Sequence, residues 1–190
     1  MLILASASPR RQELLRSAQI EFTAQPTNVP EEPEPGERPE QCAKRLAREK
    51  ARAVAVQQPG ALVLGADTIV VIDGQMLAKP EDEKDAARML RLLSGRSHQV
   101  ITGVCLIGTS GQGESFEDVR AESTSVTMQK ISEEEVRFYA ATGEPMDKAG
   151  SYAIQGIASR WISRIEGDYS NVVGLPVSLV YRMLQEHSVS

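Results

Sequence analysis

The chain has 190 residues, enough for one domain with a proper hydrophobic core or for two small lobes. Apolar residues make up 41% and charged residues 25%, as in an ordinary soluble globular protein, and the net charge of −5 argues against a polymeric nucleic-acid partner. The two cysteines, Cys42 and Cys105, form no metal or redox spacing, the first residues lack a basic leader, and no apolar run is long enough to cross a bilayer. These features point to reduced thiols and a cytoplasmic location, with no membrane partner.

Leu2 to Ala5 reads as a short strand that Ser6-Ala7-Ser8-Pro9-Arg10-Arg11 turns into a helix. Ser8 is a good N-cap and Pro9 suits the first helical position. Arg10 and Arg11 then sit in the first turn, where a cation opposes the helix macrodipole unless an anion is bound there. The same residues would also serve as a plain capped helix with two solvated arginines. Residues 25–40 carry five prolines and several glutamates, and predict an acidic loop from which Glu31 stands out. Pro39 opens a helix to about Val56 with a narrow face of Cys42, Ala43, Leu46, Ala47 and Val54; its basic residues, Lys50 among them, fall all around it.

Leu62 to Ile72 is an almost continuous apolar run with one carboxylate, Asp67, and reads as a strand or strand pair buried on both faces. A buried aspartate is costly unless paired, hydrogen-bonded or metal-bound. It could cap a turn between two short strands; it could also be the acidic centre of a site. Gly65 and Ala66 would let other backbone or a ligand approach closely. Asp73-Gly74 marks a hairpin, and Lys79 follows it without a helical purpose. Glu81 to Glu83 open a helix that stops at Ser94-Gly95.

Residues 98–109 and 115–129 predict a long antiparallel pair around Ser110 to Gly113. Ser132 and Glu135 form a capping box for a helix to about Ala141. Gly143 to Gly156 reads as a polar, glycine-rich loop feeding a strand, with Trp161 and Ile165 in a further strand. Gly167 to Asn171 reads as a turn, and Leu175-Pro176 starts the last helix.

Five stretches in order, Ser6-x-Ser-Pro-Arg-Arg, Gly65-Ala-Asp-Thr, Lys79-Pro, Leu93-Ser-Gly-Arg-Ser-His98 and Glu144-Pro-Met-Asp-Lys-Ala-Gly with Gln155-Gly, resemble the Maf family from Leu2 to Leu184. The resemblance implies an elongated α/β fold: one domain over residues 1–190, a central mixed twisted sheet flanked by helices, and two lobes with a cleft between them. It implies a nucleoside triphosphate pyrophosphatase that uses Mg2+ or Mn2+, releases a nucleoside monophosphate and pyrophosphate, and forms a homodimer. Asp67 matches the family's catalytic acid. Ser8, Arg10 and Arg11 match its phosphate-contacting loop, Lys79 its Lys-Pro lysine, and Lys50 its lysine on the second helix. Glu31 falls where the family carries an acidic loop, although Asn28 and Pro30 replace other acidic positions here. Asp67 and Glu31 are thus the implied metal ligands. Arg10, Thr68 and Gln155 are similar to the dTTP/UTP branch at positions tied to base choice, and a glutamine amide offers a donor and an acceptor to a uracil or thymine edge. A nucleotide-binding regulator of cell division with weak hydrolysis would use much the same loops. It would gain nothing from a bare carboxylate beside phosphates without a metal.

Overall fold

The computed structural model describes residues 1–187. Its strands are β1 (Leu2–Leu4), β2 (Phe22–Ala24), β3 (Leu62–Ile72), β4 (Gln75–Leu77), β5 (Ser97–Thr109), β6 (Ser115–Met128) and β7 (Ile162–Glu166). Its helices are α1 (Pro9–Ser17), α2 (Pro39–Ala55), α3 (Glu83–Leu93), α4 (Glu133–Ala141), α5 (Tyr169–Val173) and α6 (Val177–Glu186). The strands form one mixed sheet in the order β2-β1-β3-β5-β6-β7, with β4 added to β3. β1 pairs in parallel with β2 and β3, whereas the β3–β4 and β6–β7 pairs are antiparallel. This is the expected α/β class with a central mixed sheet. No described helix is long and apolar enough to cross a membrane.

By contacts the chain divides into two units, Met1–Thr68 with Thr102–Glu122 and the described part of Gly174–Ser190, and Ile69–Ile101 with Ser123–Val173. The first unit covers its sheet on both faces. Leu15 of α1 and Leu179, Val180 and Met183 of α6 pack on Leu4, Leu64 and Leu106, while Ala47, Ala51 and Val54 of α2 pack on Ile3, Val63 and Cys105. A strand covered on both faces must be apolar throughout, which is why β3 carries no alternation. The α2 seat is unusually close: an ideal Cβ on Gly65 would lie 2.2 Å from the Ala47 carbonyl oxygen, and one on Gly103 would lie 2.1 Å from that of Ala43. Glycine on the sheet and alanine on the helix let the two backbones nearly touch. Both cysteines are buried and unoxidised, and burial foremost pushes each thiol up to about 12.

The second unit has its own core, in which Leu90 and Leu93 of α3 meet Val136 and Tyr139 of α4 together with Trp161. The expected capping box at α4 is complete: the Glu135 N–H donates to Ser132 Oγ at 3.2 Å, and the Ser132 N–H to Glu135 Oε2 at 2.9 Å. The Asp73-Gly74 hairpin is also present, both residues having positive φ.

Two sequence expectations need correction, and one open alternative is decided. β3 is a single strand running through Asp67, so no turn exists there for the aspartate to cap. The loop after α4 feeds no strand before Trp161 but winds through short 3-10 turns at Glu144–Asp147, Ala149–Ser151 and Ile157–Arg160; the positive φ of Gly150 and Ser151 is incompatible with extended chain, and Trp161 lies just before β7. Residues 169–173 form a one-turn helix, started by Asp168 Oδ1 accepting the Ser170 N–H at 2.7 Å. The short strand β2 carried no sequence signal of its own.

Gly65→Ala should lower unfolding free energy by about 1–3 kcal/mol in urea titrations, because the added methyl meets helix backbone that cannot step aside. A second outcome concerns pH. His98 is buried with one ring nitrogen 2.7 Å from the Tyr152 hydroxyl, and its other nitrogen has no partner among the described residues. Burial pushes this imidazole down to about 4. A free histidine titrates near 6.5, so between these values the unfolded chain binds the extra proton, and stability falls with falling pH by up to about 1.4 kcal/mol per unit. Urea unfolding at pH 6.5 and 4.5 should therefore show a smaller loss in His98→Gln than in the parent.

Candidate active site

The site is assembled where β1 ends beside β3. The parallel register sets Leu4 opposite Leu64, and one further bond, Ala5 N–H to the Leu64 carbonyl at 2.8 Å, carries the pairing to the edge of the Ser6 loop. Ser6 Oγ accepts the Ser8 N–H at 3.2 Å, and Ser8 Oγ accepts the Arg11 N–H at 3.4 Å, capping α1 as its sequence predicts. No acidic residue lies in the first turn of α1. The positive end of the helix is left to Arg10, which is half-buried, and to Arg11, which is buried. In open α/β sheets, ligands bind beyond the carboxyl ends of parallel strands, and this corner has that placement.

Asp67 follows two residues after Gly65 and so projects from the same face of β3, toward α2. The Lys50 ammonium meets it there, 2.5 Å from Asp67 Oδ1 and 2.6 Å from Glu31 Oε1. The side chains of Lys50 and Asp67 are 6% and 9% exposed, while that of Glu31 is 40% exposed. The lysine therefore joins an interior carboxylate to one at the surface. Removing one member of such a buried pair typically costs about 3–5 kcal/mol, because it strands the other charge. Lys50 reaches Asp67 because it occupies the buried stripe of α2, four residues before Val54 and three after Ala47, on the helix that Gly65 and Gly103 admit so closely.

Glu31 depends on the proline-rich loop, which has no secondary structure and is strapped to α2 by Arg45. The Arg45 guanidinium donates twice to Glu37, both at 2.8 Å, and once to the Glu32 carbonyl at 3.0 Å. That fork holds the Glu37 carboxyl down at about 2.

Thr68 points to the opposite face and enters a second polar cluster. Arg11 donates from Nε to the Gly174 carbonyl at 2.8 Å, from Nη1 to Ser6 Oγ at 3.3 Å, and from Nη2 to Thr68 Oγ1 at 3.1 Å. Thr68 Oγ1 also lies 2.9 Å from Thr102 Oγ1 and 3.3 Å from the Gly174 carbonyl oxygen. Burial lowers the Arg11 pKa, opposed by the charges of Asp67 and Glu31.

Of the residues singled out from sequence, Ser8, Arg10, Arg11, Glu31, Lys50, Asp67 and Thr68 belong to the first unit, where the bonds described above join Ser8, Arg11 and Thr68 in one group and Glu31, Lys50 and Asp67 in another. Lys79 and Gln155 belong to the second. Lys79 is exposed, ahead of buried Pro80. Gln155 is the exposed third residue of a turn closed by the Gly156 N–H on the Ala153 carbonyl at 3.1 Å, and the adjacent Ile157 N–H is held by Glu144 Oε1 at 3.2 Å. Sequence reasoning missed Thr102 and the Gly174 carbonyl. Thr102 stood in plain strand alternation as a polar residue among Val100, Val104 and Leu106; a backbone carbonyl leaves no sequence signal. It also left Lys50 undecided, although its spacing from Ala47 and Val54 marked it as inward-facing.

The family described as Maf-like protein matches residues 1–187. A dTTP/UTP pyrophosphatase of Koribacter versatilis (strain Ellin345) is 58% identical over 188 residues, covering 99% of this chain and 95% of its own. A dTTP/UTP pyrophosphatase of Symbiobacterium thermophilum is 52% identical over 97% of this chain and 93% of its own, and one of Syntrophomonas wolfei is 52% identical over 95% and 94%. With the whole described chain matched and identity above one half, the protein belongs to the Maf-like family.

Proposed function

We propose that this chain hydrolyses nucleoside triphosphates between the α and β phosphates, preferring dTTP and UTP and releasing the nucleoside monophosphate and pyrophosphate. The observation that carries the reading is the Asp67 carboxylate, nearly closed to solvent, held by Lys50 and acting by its charge on Arg11 in the first turn of α1. The reaction classes of the relatives give further support.

In this reading Asp67 takes the proton of a water attacking the α phosphorus. As the new oxygen–phosphorus bond forms, the α–β bridge breaks and its electron pair leaves on the pyrophosphate oxygen. Lys50 fixes the carboxylate and adds positive charge. Ser8, Arg10 and Lys79 are assigned to the phosphates; Arg10 and Gln155 are assigned to base choice, the Thr68 hydroxyl being taken up by Arg11 and its neighbours. A divalent cation would be held by carboxylate oxygens of Glu31 and Asp67, which their shared bond to Lys50 brings near one another; Mg2+ is commonly held by one or two carboxylates with phosphate oxygens and water. Bound there, it would neutralise phosphate charge. No group of three or more His, Cys, Asp or Glu among the described residues is placed to hold a metal without such help. The cytoplasmic homodimer that the resemblance implies goes with the same reading.

The test is product analysis with Mg2+ or Mn2+ on dTTP, UTP, CTP, GTP and ATP separately. Monophosphate with pyrophosphate, greatest for dTTP and UTP, is the expected result; nucleotide binding without turnover would favour a regulatory protein instead. Asp67→Asn should keep its circular dichroism and lose on the order of 100-fold or more in turnover, and near-parental rates would remove the assignment. Gln155→Ala should narrow the dTTP-to-CTP ratio of kcat/KM, whereas an equal loss on every base would argue against base reading.

A further inference from the structure

We propose that Arg11 is a positioning residue that locks the Ser6–Arg10 loop onto Thr68, and so onto the neighbouring Asp67, rather than a ligand of the substrate phosphates. The inference rests on the pyrophosphatase reading for what the loop is positioned to do. Its geometry is independent of that reading. Each of the three guanidinium nitrogens already donates to a protein acceptor, and the acceptors come from three separate segments: Ser6 after β1, Thr68 on β3, and Gly174 ahead of α6. Two of the five N–H groups are left over, on a residue only 9% exposed.

The hydroxyl of Thr68 is equally committed. It accepts from Arg11 and lies within hydrogen-bond distance of both Thr102 Oγ1 and the Gly174 carbonyl. Arg11 stands at the third position of α1, so its backbone is tied to Ser8 while its side chain is tied to β3. The loop that carries Ser8 and Arg10 therefore cannot shift along β3 without breaking these bonds. Asp67 is the residue before Thr68. The distance from Asp67 to the loop is set through the Arg11 fork, and a displacement of one ångström at a reacting centre costs on the order of 100-fold in rate. Lysine would keep the charge but has no planar fork with which to hold three acceptors.

The test compares Arg11→Lys, Thr68→Val, their double variant and Thr68→Ser, reading amide hydrogen exchange at Ser8 and Arg10 together with kcat and KM for pyrophosphate release from dTTP. Faster exchange at Ser8 and Arg10 is expected in both single variants, including Thr68→Val, in which the loop itself is untouched. kcat should fall on the order of 10- to 100-fold with KM little changed, and the double variant should be no worse than the worse single one. Thr68→Ser should restore parental exchange. Unchanged exchange in Thr68→Val would overturn the proposal. So would a raised KM with kcat retained in Arg11→Lys, or losses that multiply in the double variant. Should Arg11→Lys fail to fold, the Thr68→Val and Thr68→Ser pair decides alone. A parent that releases no pyrophosphate from any triphosphate would remove the proposed function and leave the exchange measurements to judge the lock.

Discussion

The contact between α2 and the sheet governs the first unit. An ordinary helix–sheet pair is held apart by side chains on both surfaces, whereas here Gly65 and Gly103 face Ala43, Ala47 and Ala51. The short separation has a chemical result: a lysine in the helix interior stripe reaches a strand aspartate directly and still extends to Glu31. With a bulkier seat, Lys50 would be withdrawn from Asp67, and each would have to find another partner or water. Packing and charge placement are thus one constraint, imposed by the absence of two side chains.

Around that contact the polar groups divide between the two faces of one strand. Asp67 goes to the α2 face with Lys50 and Glu31, and Thr68 goes to the other with Arg11, Thr102 and the Gly174 carbonyl. Successive residues of a strand point oppositely, so adjacent positions serve two separate networks while sharing one peptide. Burying polar groups is costly unless they are satisfied, and both networks meet that demand largely from within the chain. The proline-rich loop adds what regular structure cannot. It brings Glu31 in from solvent, and Arg45 holds it against α2 through Glu37 and the Glu32 carbonyl.

Much of this was legible in the residues themselves. The almost continuous apolar run 62–72 announced a strand covered on both faces, Ser8-Pro9 announced the start of α1, Ser132 with Glu135 announced α4, and Asp73-Gly74 announced the hairpin. Each signal is local, because the residue type itself limits what the backbone can do. The failures were of two other kinds. Gly150 and Ser151 take left-handed conformations in sequence that a strand could also use; an added Cβ on Gly150 would lie 2.8 Å from a Val70 methyl, a contact with a residue eighty positions earlier. Lys50 and Gly174 gain their importance from partners 17 and 163 positions away, distances over which a pattern in a single chain has no reach.

The burial of Cys42 and Cys105 has a practical consequence for the chemistry that can be done on this protein. Thiols react as thiolates, and groups displaced to about 12 present roughly one thiolate in ten thousand molecules at pH 8, behind packed side chains that keep alkylating reagents out. The native cysteines are therefore a silent background. A single cysteine introduced on an exposed turn, such as the one that joins β5 to β6, would carry a fluorophore or spin label alone, without first stripping two small residues from the interior where α2 meets its strands.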